Sequence, residues 1–246
     1  MTKTDKKLRK SKRALISAVS ILGIFITIFY FLIYGPRSIK LLRNKYKKAK
    51  SYADESSEII LGATVFFGDS ITELCDLEKY YPYVNTCNRG ISGDTTEGML
   101  NRVESNVLAI SPSNVVLLGG TNDIGKNVAL QDIVNNIEQI IQRIQLSIPS
   151  CNIYIQSVYP INPKKKSKLY NKCGSRTNIA IDDLNILLND LCAQYGCVYI
   201  DVNSQLKDKD GNLKKQYTFD GLHLTKKGYK VASKIIAPYL ENTVYI

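Results

Sequence analysis

One histidine, His223, stands in the 246-residue chain, and an aspartate, Asp220, precedes it by three positions. At that spacing a carboxylate can hold one ring nitrogen while the other takes a proton from a hydroxyl. A candidate hydroxyl lies in the stretch Phe67-Gly68-Asp69-Ser70-Ile71-Thr72, directly after an apolar run. A serine between a strand and a helix can expose its Oγ, and its backbone N–H at the helix start can stabilise developing negative charge. This is not the G-x-S-x-G elbow of α/β-hydrolases, because Thr72 occupies the place of the second glycine. Two other loops offer oxyanion donors. Asn88-Arg89-Gly90-Ile91-Ser92-Gly93-Asp94-Thr95 presents glycine N–H groups in a tight turn, and Gly119-Gly120-Thr121-Asn122-Asp123 presents the Asn122 side-chain amide. Taken singly, each piece has an ordinary explanation as an incidental histidine, a helix cap or turn chemistry. Taken together, they would have to meet at one place.

The elements that could bring them together are legible in the hydropathy. Apolar runs at Ile59–Phe67, Ser113–Leu118, Asn152–Val158 and Val198–Val202, with a shorter one near Tyr83–Asn88, suit parallel strands covered on both faces. Between them, apolar residues at 130, 133, 134, 137, 140, 141 and 144 trace one face of a helix over Leu130–Ile148, stopped by Pro149. Ile179–Tyr195 repeats the pattern with Gly196 as its cap, and Lys226–Leu240 closes the chain as a last helix. Alternating strands and helices with short loops imply an α/β fold with a mostly parallel sheet. Ligands in such folds bind at the carboxyl ends of the strands. That rule selects the loops at Gly68–Thr72, Arg89–Thr95, Gly119–Asp123 and Tyr159–Lys172. The last of these runs on into a lysine-rich stretch with Lys164, Lys165, Lys166, Lys168 and Lys172, expected to border the entrance for an anionic substrate or to be a solvated loop.

Four blocks, Gly68-Asp69-Ser70, Ile91-Ser92-Gly93-Asp94, Gly119-Gly120-Thr121-Asn122-Asp123 and Asp220-Gly221-Leu222-His223, appear in the order that resembles the SGNH hydrolases, or GDSL-type esterases and lipases. The likeness covers about Ile59 to Leu240 and is similar to the branch of platelet-activating-factor acetylhydrolases and lysophospholipase-like esterases. Ile71 stands where the GDSL name puts leucine. The resemblance implies a three-layer flavodoxin-like fold with a five-stranded sheet, and a serine esterase without metal or cofactor. It assigns Ser70 as nucleophile, His223 as general base and Asp220 as the acid that orients it. The oxyanion hole it implies comprises the N–H groups of Ser70 and Gly93 and the side chain of Asn122. The same triad could pass its acyl group to a glycan hydroxyl, which makes an O-acyltransferase the alternative, and a non-catalytic binding module is a third reading.

The net charge of +11 is distributed unevenly. Residues 1–50 carry 14 Lys/Arg and one acid, and residues 51–246 carry 19 Lys/Arg against 21 acids. The globular part is thus mildly acidic, which speaks against nucleic acid as a partner. From Ala14 to Tyr34 no charge occurs over 21 residues, enough helix to span ~31 Å, about one bilayer core. The alternative is a buried core helix, but the segment lacks amphipathic spacing, and the apolar run is too long for a cleaved signal peptide. The expected organisation is a basic leader at 1–13, a transmembrane anchor at 14–34, a basic juxtamembrane linker at 35–57 and a hydrolase domain at 58–246. Seven Lys/Arg flank the anchor on each side, and the cost of translocating the charged leader favours an N-terminus inside and a catalytic domain outside the cytoplasm. Expected partners are the membrane and an ester substrate, either a lipid or an O-acetylated glycan. The six cysteines, Cys75, Cys87, Cys151, Cys173, Cys192 and Cys197, allow 15 pairings. In a domain this size they are read as buried free thiols.

Overall fold

A computed structural model describes residues 39–55, 62–165 and 172–241 of the chain. The anchor expected at Ala14–Tyr34 lies outside the described residues, as do Lys166 and Lys168. No helix among the described residues is long and apolar enough to cross a membrane. The chain divides into two compact units, Met1–Lys47 and Lys48–Ile246. Helix α1 covers 39–55. Its part in the first unit exposes Ile39, Leu41, Leu42 and Tyr46. Its remaining residues belong to the second unit, which begins at Lys48. Of the segment 35–57 expected to be a linker, residues 39–55 are described, and they are helical.

The second unit is built on five strands, β1 (Thr64–Gly68), β2 (Thr86–Gly90), β3 (Asn114–Leu118), β4 (Asn152–Gln156) and β5 (Val198–Ile200). They pair in the order β2-β1-β3-β4-β5, every pair parallel. Side-chain alternation divides the sheet's two faces cleanly. Val65, Phe67, Val115, Leu117, Ile153 and Ile155 join one cluster, which takes in α4 (Thr96–Asn106), α6 (Leu130–Ser147) and α7 (Asn178–Tyr195). Phe66, Val116, Leu118, Tyr154 and Ile200 join the other, together with residues of the short helices α2 (Ser70–Glu73), α3 (Leu77–Tyr80) and α8 (Asn203–Leu206) and of α9 (Lys226–Glu241). This makes three layers, helices on both sides of a parallel sheet.

Strand β4 ends at Gln156, short of the Val158 expected from its apolar run, because side chains take over the backbone bonds there. Val158 N–H donates to Asn185 Oδ1 at 2.7 Å, and Ser157 Oγ accepts from Val202 and Asn203. Helix α4 is absent from the hydropathy reading for a related reason. Its buried face includes Thr96, Arg102 and Asn106 beside Met99 and Val103, so its inner stripe is half polar and does not show as a hydrophobic period.

Candidate active site

Helix α5 (Thr121–Ile124) completes the set of strand-end elements. The chain leaves β1 at Gly68 and turns at once into α2, whose N-cap is Asp69 and whose first residue is Ser70. Asp69 Oδ1 accepts the Ile71 N–H at 2.8 Å. Ser70 is therefore not the cap. Its N–H is one of those that a helix start leaves without an intrahelical acceptor.

The acid–base turn is built by a single carboxylate. Asp220 Oδ1 accepts the N–H groups of Leu222 at 3.0 Å and His223 at 2.8 Å, and Oδ2 lies 2.6 Å from His223 Nδ1. The three-residue spacing lets one oxygen shape the turn while the other orients the ring. Gly221 makes this turn possible. It sits at φ +93°, and a Cβ there would stand 2.6 Å from the Asn162 carbonyl. On the far side of the ring, His223 Nε2 lies 3.0 Å from Ser70 Oγ. Hydroxyl, imidazole and carboxylate thus form one hydrogen-bonded series, able to take the hydroxyl proton as the oxygen attacks an electrophile. Burial alone would raise Asp220, but the bonds from the His223 ring and from two N–H groups outweigh it and hold the carboxyl below its usual range. Half-exposed Phe219 stacks on the His223 ring, with centroids 5.8 Å apart.

The proposed oxyanion donors converge from two other strand ends. Gly93 lies at φ +73° in the turn that Asp94 N–H closes onto the Ile91 carbonyl. Asn122, on α5, points its Nδ2 at the Asp94 carbonyl (2.9 Å) and at Asp69 Oδ2 (3.3 Å). Its Oδ1 accepts from Arg176 Nη2 at 2.9 Å. A guanidinium on one side and two oxygen acceptors on the other leave the amide a single orientation.

Sequence reasoning missed three supports. Arg176 also donates through Nε to the Thr121 carbonyl at 2.6 Å, so it fixes both the backbone and the side chain of the loop that carries Asn122. Buried Arg102 ties the ends of β1 and β2 to the loop that follows β2: it donates to Asp94 Oδ2 at 2.8 Å, to the Arg89 carbonyl at 2.9 Å and to the Gly68 carbonyl at 2.9 Å. Asp69 is fully buried. Desolvation pushes its carboxyl up to about 7, helped by Asp94 and Asp123 and opposed by the Ile71 N–H and Arg176. Long-range partners of this kind leave no local pattern, apart from the presence of an unneeded charge in an otherwise apolar context.

The lysine-rich loop reaches the site through its two ends. Asn162 N–H donates to the Gly221 carbonyl at 2.8 Å, and Lys172 N–H to the Asp220 carbonyl at 3.1 Å. The six cysteines are free thiols, and burial raises Cys75, Cys151 and Cys192 to about 12. No group of three or more His, Cys, Asp or Glu side chains placed to hold a metal ion occurs among the described residues.

The family model of the GDSL-like Lipase/Acylhydrolase family matches residues 66–231, and the chain belongs to that family. It is a hydrolase that acts on esters. Among its relatives, the platelet-activating factor acetylhydrolase IB subunit alpha2 of Rattus norvegicus is 28% identical over 190 residues, covering 73% of this chain and 78% of that protein. The N-acylneuraminate cytidylyltransferase of Escherichia coli O18:K1:H7 is 28% identical over 198 residues, 80% of this chain, and this chain spans only 43% of that protein. A solved structure from Streptococcus pneumonia, described under platelet activating factor, superposes with a TM-score of 0.80 at 31% identity, covering 85% of this chain and 98% of that one. A GDSL-like lipase of Bacteroides thetaiotaomicron, at 23% identity and a TM-score of 0.69 over 80% of this chain and 98% of that one, shares the fold.

Proposed function

We propose that the chain is a membrane-anchored serine esterase that cleaves acetyl esters or lysophospholipid-type esters through an acyl-enzyme. The observation that carries this reading is the series Ser70 Oγ, His223 and Asp220, linked at 3.0 and 2.6 Å. In the first step Ser70 attacks the ester carbonyl, and its proton passes to His223 Nε2. Asp220 keeps the ring in the tautomer that can receive it and stabilises the imidazolium that forms. The carbonyl oxygen becomes an oxyanion facing the N–H groups of Ser70 and Gly93 and the Asn122 amide, whose long 3.3 Å bond to Asp69 is the easier of its two to give up. The imidazolium then protonates the leaving alcohol, and water repeats the sequence to free the acid. The acetyl preference is supported by the acetylhydrolase relatives, and exposed Phe219 beside His223 offers an apolar surface for a lipid chain. Anchoring rests on the uncharged segment Ala14–Tyr34 and its basic flanks, with the catalytic unit outside the cytoplasm.

The test is a fluorophosphonate probe on the full chain, followed by a screen of acetyl, butyryl and long-chain esters alongside acetylated polysaccharide. Ser70 is expected to be the labelled residue, and Ser70→Ala to lose both label and turnover. Labelling elsewhere, with full turnover in Ser70→Ala, refutes the assignment. Protease accessibility of the catalytic unit in intact cells tests the orientation.

A further inference from the structure

We infer that the last two turns of α1 act as a clamp on the oxyanion turn, with Lys48 and Tyr52 as positioning residues that work through Glu73 and Gly90. The inference rests on the reading of Gly93 and Asn122 as oxyanion donors. On one side the turn is held by Arg102 on Asp94 Oδ2 and by Asn122 on the Asp94 carbonyl. On the other side its fixings come from α1 and α2. The Tyr52 hydroxyl donates to the Gly90 carbonyl at 3.0 Å. The Ser92 N–H, one residue before Gly93, donates to Glu73 Oε2 at 2.6 Å, and Lys48 Nζ lies 3.3 Å from the other oxygen of that carboxylate. Burial tends to raise Glu73, but the Ser92 bonds and Lys48 bring it below its usual range, so it stays an anion and keeps its grip on Ser92. Glu73 also ends the helix that Ser70 begins. One carboxylate thus links the nucleophile's helix, the oxyanion turn and α1.

The docking of α1 is built in. Tyr52 is buried, with the Lys48 ammonium 5.1 Å from its ring centroid and the Arg89 guanidinium 4.6 Å from it. The Ala49 carbonyl accepts from Asn106 Nδ2 at 3.0 Å. Arg89 is only 3% exposed, and its Nε and Nη2 have no hydrogen-bond partner among the described residues. The Tyr52 ring face, and Glu55 Oε2 at 3.7 Å from Nη1, answer its charge. A buried guanidinium so placed needs α1 where it is. Loosening α1 would take the Tyr52 bond from Gly90 and the Lys48 ammonium from the carboxylate that holds Ser92, while leaving the Ser70–His223–Asp220 series intact.

The experiment compares the full chain with its Tyr52→Phe, Lys48→Met and Lys48→Arg variants on one soluble acetyl ester. It measures kcat, KM, the pH–rate profile and inhibition by a trifluoromethyl ketone, whose serine adduct carries an oxyanion. Misplacing a donor by a fraction of an ångström lowers kcat about tenfold in Tyr52→Phe and in Lys48→Met. The expected pattern keeps KM within about twofold and the pH profile unshifted, weakens ketone binding in parallel with kcat/KM, and restores kcat in Lys48→Arg. The clamp is overturned if both kcat values stay within about twofold of the parent. It is equally overturned if kcat falls while ketone affinity holds, or if the pH profile moves with it. Ser70→Ala and Asn122→Ala run alongside: full turnover in either sinks the active-site reading itself, whereas their loss with unaffected Lys48 and Tyr52 variants sinks the clamp alone.

Discussion

Replacing Arg102 by methionine should be among the most damaging single changes outside the proposed triad, and the structure supplies the magnitude. The side chain is 7% exposed and the Asp94 side chain 6%. Methionine matches the unbranched stem but leaves Asp94 as a buried carboxylate without its cation, a loss of ~3–5 kcal/mol. The carbonyls of Gly68 and Arg89 lose a donor each, at ~1 kcal/mol apiece when a polar contact of this kind is broken. The contact of the guanidinium with the Phe67 ring, 4.4 Å from its centroid, goes as well. A total of ~5–7 kcal/mol in a unit of this size corresponds to a fall in Tm of roughly 10–30 °C. Arg102→Lys keeps the charge and can reach Asp94, but one ammonium cannot span two strand-end carbonyls as the planar fork does. It should lose about 2 kcal/mol, or roughly 4–8 °C. Thermal unfolding followed by circular dichroism, with residual activity after each step, measures both. A methionine variant that melts within about 3 °C of the parent would refute the argument, since it would mean that Asp94 tolerates burial without its partner.

Three further expectations can be checked with standard assays. His223→Ala should lower ester turnover by several orders of magnitude, and Asp220→Asn by roughly 10⁴-fold with KM little changed, because the ring loses its tautomer; ordinary turnover in Asp220→Asn removes that carboxylate from the mechanism. Asp69, raised to about 7, holds in the fold a proton that the unfolded chain has released above its ordinary value of 3.8. Its contribution to stability is thus lost as pH rises from about 4 to 7, by up to ~4 kcal/mol. Asp69→Asn should flatten the dependence of denaturation midpoint on pH between about 4 and 7, and an unchanged slope would contradict the assigned burial effect. Gly90→Ala would place a Cβ 2.2 Å from the Glu73 N atom, so α2 or β2 must shift; we expect at least a tenfold loss of kcat, and kinetics like those of the parent would show that this close approach is not needed.

Much of the layering was legible because a parallel sheet covered on both faces writes itself as apolar runs. β3 is buried throughout at Asn114–Leu118, as its four consecutive apolar residues imply. The pairing of Asp220 with His223 was legible for another reason: the two are three residues apart, and the one turn that unites them is local. What escaped was carried by polar groups whose partners are distant in sequence. Arg102 meets Gly68 across 34 positions, and Arg176 meets Asn122 across 54. No periodicity predicts such pairs. The same holds for α1, which by composition alone is a basic linker. Its value to the catalytic unit comes from Tyr52 fitting over Arg89, a fit that charge counting cannot see.

Ser70 and His223, the proposed nucleophile and base, lie 153 positions apart in the sequence. They are joined at short range by contacts of α2 and α3 with α9: the Tyr229 hydroxyl on α9 bonds the Ile71 carbonyl at 2.8 Å, and the Tyr80 hydroxyl bonds the Lys226 carbonyl at 3.1 Å. Strands β2 to β5 all lie between Ser70 and His223 in the sequence, and His223 meets Ser70 just before α9 begins. During synthesis a partial chain that ends before His223 would hold Ser70 but not the proposed base, and on that mechanism would be inert towards esters. Hydrolysis becomes possible only at the moment of closure. Turnover is thus a sensor of completed folding, more stringent than helix content, and its recovery after dilution from denaturant should lag behind the return of secondary structure.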